Sequence, residues 1–143
     1  MSRRFISVLL ALAVPLVCAL PSALGRNRTP VLGWKRAFPS GKGFGVVKPR
    51  TVYLGGDPTG NVASITWHNW GSGRAVGFGQ GWCPGRSVAS GHPCRVPLHV
   101  YGLGTCHGLR SYRNLSFYFK PGRHRHWTPG SKWNICSGQF LPG

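Results

Sequence analysis

Asp57 is the only side-chain carboxylate in 143 residues, set against 18 Lys and Arg and six histidines. That ratio decides which chemistries the chain can hold. Two-carboxylate glycoside hydrolysis, an aspartic-protease dyad, an oxygen-rich calcium cage and a two-metal nuclease each need more acids than the sequence contains. A Ser-His-Asp mechanism would have to use Asp57. That residue stands in Gly56-Asp57-Pro58-Thr59-Gly60, where an aspartate ordinarily caps a turn by accepting backbone N–H groups.

Imidazoles can do acid–base work without carboxylates. His68, His92, His99, His107, His124 and His126 are the supply. Two of them with a flanking cation suffice to transphosphorylate RNA, and His99 with His107 is the pair that a His-based secreted ribonuclease would use. Histidines scattered over strands and loops are more often ordinary surface groups, so the favoured reading is non-enzymatic. His124-Arg125-His126, beside Arg123 and Trp127, has i, i+2 spacing suited to chelation. Its neighbours Lys120, Arg123, Arg125 and Lys132 oppose a metal and favour an anion-facing or solvated loop. No cofactor and no metal is expected.

Charge is the stronger signal. The formal net charge is +17, and arginine outnumbers lysine 13 to 5. The planar guanidinium offers a two-pronged donor to phosphate or carboxylate. A body this cationic adheres to polyanions with strong salt sensitivity. Arg26, Arg28, Lys35, Arg36, Arg123 and Arg125 are the expected contacts, and the expected partner of the monomer is an anionic cell-wall polymer or other polyanion. Nucleic acid would bind without sequence preference. A third class is a carbohydrate-binding module in which Trp67, Trp70 and Trp82 stack on sugar. Such a platform needs coplanar, exposed rings, and core packing is the commoner use of tryptophan.

These groups sit on a recognisable frame. Met1 to Gly25 reads as a secretory signal peptide: Arg3 and Arg4, an apolar run from Phe5 to Leu20, then Ala23-Leu24-Gly25 with small residues at the cleavage positions. The apolar run contains Pro15 and falls short of the roughly 20 residues that a spanning helix needs. A lipoprotein cleaved at Cys18 fits poorly, since Pro15-Leu16-Val17 lacks the small residues that processing prefers. The expected location is therefore outside the cell, with cell-wall association.

Signal removal leaves Cys83, Cys94, Cys106 and Cys136, an even count that reads as two disulfides in a small exported domain. Three pairings are open, with sequential pairing, Cys83 to Cys94 and Cys106 to Cys136, favoured. Each closed loop would stabilise the fold by roughly 3 kcal/mol. A zinc site is disfavoured by the absence of any C-x-x-C pair.

Residues 26–50 are basic and aperiodic, and are expected to form a flexible basic arm ahead of a single β domain over 51–143. Gly and Pro, at 22 and 12 residues, argue for short strands and tight turns. Thr51 to Leu54 looks extended. Val62 to Trp70 alternates, with Ala63, Ile65 and Trp67 expected on one face and Val62, Ser64, Thr66 and His68 on the other. From Ala75 to Trp82, Val76, Phe78 and Trp82 alternate with Gly77, Gly79 and Gly81. This leaves a bare glycine face that a backbone or an aromatic ring can approach closely. Further strands are expected at Val96–Leu103, Asn114–Phe119 and Trp133–Cys136, and Lys120 to Lys132 is expected as a loop. The fold class is all-β: a small antiparallel sandwich or barrel of about six short strands, disulfide-stapled.

Across 51–138 the pattern Leu54-Gly55-Gly56-Asp57-Pro58-Thr59-Gly60, Trp67, Trp70, Gly104-Thr105-Cys106-His107-Gly108, Tyr112-Arg113, Phe117-Tyr118-Phe119 and Asn134-Ile135-Cys136-Ser137-Gly138 resembles a group of small secreted actinomycete proteins of unknown function. The resemblance implies export and a compact domain in which Cys106 and Cys136 pair, and it implies no activity. The basic arm and the Cys83/Cys94 pair depart from it.

Overall fold

A computed structural model describes residues 28–56, 58–83, 85–119 and 128–141. Eight strands form one sheet there: β1 (Val31–Leu32), β2 (Val52–Tyr53), β3 (Asn61–His68), β4 (Arg74–Cys83), β5 (His92–Cys106), β6 (Leu109–Phe119), β7 (Thr128–Asn134) and β8 (Gln139–Leu141). The order β2-β3-β4-β5-β6-β7-β8 is antiparallel throughout, and β1 adds in parallel to β6. The sheet curls into a half-barrel, so the all-β, antiparallel expectation holds. Short β2 falls within the expected Thr51–Leu54 stretch, and the strand count exceeds the expected six through β1 and β8, which are only two and three residues long. β7 begins at Thr128, inside the stretch expected to be a loop.

Alternation builds the concave side. Val96, Leu98 and Val100 of β5 face inward, as do Leu115 and Phe117 of β6, all essentially buried. Ala75 of β4 joins them, and beyond it the inward positions of that strand are Gly77 and Gly79. A Cβ on Gly77 would stand 2.9 Å from the Trp67 ring, and one on Gly79 would stand 2.5 Å from Val62 Cγ1. The glycine face is therefore a packing face, with β3 side chains lying where β4 has none. Val76, Phe78 and Trp82 point the other way.

β3 departs from simple alternation. Its register with β4 slips by one residue between Ala63 and Thr66, and Ser64 has φ 53°. This is a β-bulge, which inserts one unpaired residue and resets the phase. As a result Val62 and Ile65 are both buried, so the expected grouping of Val62 with Thr66 and His68 is corrected.

The expected flexible arm is also corrected from Arg28 onward. Leu32, Phe38 and Phe44 belong to the same buried cluster as the sheet residues. The segment is pinned by backbone bonds from Gly33 N–H to Tyr112 O (3.0 Å), from Trp34 N–H to Ile135 O (3.0 Å) and between Leu32 and Gly45–Val46. A curled sheet leaves an open side that must be covered by apolar groups, and this segment covers it. It does so through turns rather than regular elements, so it carries no period to read. The packed domain accordingly includes described residues of 28–50 and does not begin at Thr51. Residues 1–25, with the signal-peptide expectation, lie outside the described residues.

Both disulfides form as favoured, Cys83–Cys94 and Cys106–Cys136, each with a Cα separation of 5.7 Å. The first staples β4 to β5. The second ties the end of β5 to the turn between β7 and β8.

Candidate functional site

Three cationic places emerge, and no described residue carries a side-chain carboxylate to neutralise any of them. Every described Lys and Arg is exposed except Arg110 and Lys132, which are half-buried.

The first lies at the Cys106–Cys136 disulfide. β5 and β6 are joined by His107-Gly108, both at positive φ (48° and 79°), the backbone of a two-residue hairpin turn that matches strand twist. Trp34 stacks on the His107 ring at 3.9 Å, and the exposed Lys35 and Arg36 follow it in a turn. Ligand atoms of Cys106, His107 and Cys136 converge within 4.8 Å, but the two sulfurs are bonded to each other and have no thiolate to offer a metal.

The second is a cleft of about 380 Å³ lined by Thr29, Pro30, Trp70, Gly71 and Arg110. Arg110 donates to the carbonyl of Arg28 at 3.4 Å. Tyr112 anchors the cleft floor: its hydroxyl donates to Ser72 O and accepts from Gly71 N–H, both at 2.8 Å. Burial pushes the phenol pKa above its ordinary value.

The third is on the outer face of β3, β4 and β5. Ser64, Thr66, His68, Phe78, Gln80 and Arg95 surround a cup of about 330 Å³. Arg95 lies over the Phe78 ring with its guanidinium carbon 4.5 Å from the centroid, and His68 meets the ring edge-on at 5.9 Å.

Of the six expected polyanion contacts, Arg28, Lys35 and Arg36 are exposed, Arg28 at the second place and the other two at the first. Arg26, Arg123 and Arg125 lie outside the described residues, as do Asp57, His124 and His126. His99 and His107 are not brought together. His99 sits mid-strand between Val76 and Ser116, and seven strand residues separate it from His107 in the turn, roughly 26 Å along the chain at the ordinary strand rise. Burial, then the Arg74 charge, hold the His99 imidazole below its ordinary pKa.

The tryptophans are engaged in packing. Trp67 and Trp70 cross at 68°, and their indole N–H groups donate to Pro49 O and Pro30 O. Trp82 donates to Val88 O near the Cys83–Cys94 staple. Coplanar stacking rings are not what Trp67 and Trp70 make.

Arg95 and Arg110 were missed by sequence reasoning. The signal that could have found Arg95 is its place directly before the inward-facing Val96, which turns it to the outer face; register with β4 was needed to pair it with Gln80. The chain matches no family model, no curated protein and no solved structure.

Proposed function

We propose that this protein is exported and acts without catalysis, holding electrostatically to anionic polymers of the cell envelope. One observation carries the reading: 18 Lys and Arg stand against a single side-chain carboxylate, and every described Lys and Arg is exposed or half-buried. Such a surface condenses anions, and neutralising several polymer charges releases their counterions, which makes binding fall steeply with salt. Two disulfides suit an oxidising compartment. Among the described residues no helix is long and apolar enough to cross a membrane.

The test is retention on purified cell wall across a salt series. Retention falls steeply between ~50 and ~200 mM salt if several ion contacts are made. Retention that ignores salt and disappears in Trp67→Ala or Trp70→Ala would transfer the case to saccharide binding. Cleavage of added RNA at any pH from about 5 to 8 would overturn the non-catalytic reading.

A further inference from the structure

The outer-face cup differs from the other two cationic places in being built from several kinds of donor around one fixed cation. Arg95 is positioned by the Phe78 ring rather than by a carboxylate. A cation held over a ring keeps its N–H edge directed outward. Around it stand two hydroxyls, Ser64 and Thr66, the Gln80 carboxamide and the His68 imidazole. Arg95 and Gln80 are direct cross-strand partners, as are Thr66 and Phe78. Ser64 is the bulge residue, held at φ 53°. Left-handed backbone at a non-glycine residue costs energy, and bulges commonly re-aim a side chain at a site.

We propose that this cup binds the phosphodiester group of a base-free polyol phosphate polymer. The assignment rests on the electrostatic reading above and gives it a specific ligand and place. A phosphoryl group has oxygens in several directions, and the cup has donors approaching from three strands; a planar carboxylate would leave some of them without partners. Bases are disfavoured because stacking platforms need open ring faces. Here Arg95 covers Phe78, and Trp67 and Trp70 cross edge to face.

The experiment measures affinity of the protein at about 50 mM salt for three probes of matched charge: oligo(glycerol phosphate), oligothymidylate and polyglutamate. Arg95→Gln weakens glycerol phosphate binding about tenfold, the scale of one charge-assisted hydrogen bond. Arg86→Gln, which removes an exposed cation that does not line the cup, changes it by less than about twofold. Thr66→Val reads the same cup without altering charge and also weakens binding, so the site remains testable should Arg95→Gln misfold. Equal losses for Arg95→Gln and Arg86→Gln would overturn the cup and leave the electrostatic reading standing. Absence of binding to all three probes would overturn both. Tighter, Arg95-dependent binding of oligothymidylate would replace the polyol phosphate by nucleic acid, and equal Arg95-dependent binding of polyglutamate would remove the phosphoryl assignment.

Discussion

His99 shows how a single residue's surroundings set a pH response. Burial and the nearby Arg74 both disfavour its imidazolium. Its folded-state pKa is therefore depressed, while the unfolded chain protonates near the ordinary value of about 6.5. Below that pH the unfolded state binds more protons, so stability falls as pH drops and levels off once the folded imidazole itself protonates. Denaturant midpoints measured from pH 7 down to about 5 should show this decline. Arg74→Gln removes the smaller cause and should make the decline shallower. A decline unchanged by that substitution would mean the Arg74 charge does not reach the ring.

At the scale of elements, β4 sets how closely β3 packs. Beyond Ala75 its inward positions are glycine, and the Trp67, Ile65 and Val62 side chains of β3 fill the room this leaves. A methyl at Gly79 would collide with Val62 and with the Ala63 backbone oxygen, and backbone does not yield cheaply. Gly79→Ala should therefore cost about 1–3 kcal/mol in chemical unfolding. Gly73→Ala, at the turn where a Cβ meets nothing within 4 Å, should cost far less. Similar losses at both positions would show that the close contacts at Gly79 do not set the cost, since the lower entropy of the unfolded chain by itself favours alanine. The alternation of β4 was plain in its residues, but which face turned inward was not. In β3 even the alternation misled, because a bulge at Ser64 is a pairing event with β4 and leaves no mark on local composition.

For the whole molecule, the stretch 28–50 is part of the core rather than a lead-in. A chain begun at Thr51 would lose Leu32, Phe38 and Phe44 and uncover the inward faces of the sheet. Burying an apolar side chain of this size is worth roughly 1.5–3 kcal/mol, so losing three exceeds much of the margin of a small domain. The truncated chain should give an unfolded or aggregated product by circular dichroism and gel filtration. A cooperatively folded product would restore the arm.

What the residues determined alone is what depends on composition and local pattern. The surplus of cations follows from the near absence of acids, the strand-built class from period-2 runs among glycines and prolines, and two disulfides from four remaining cysteines. Tertiary structure decided everything that depends on strands meeting. Register placed Arg95 beside Gln80 and across from the bulged β3. The length of β5 held His99 and His107 apart, and the open side of the half-barrel drew in an aperiodic segment. Short-range periodicity records which residues share a face of one strand; which faces meet is set by pairing and by the demand to exclude water from a curved sheet.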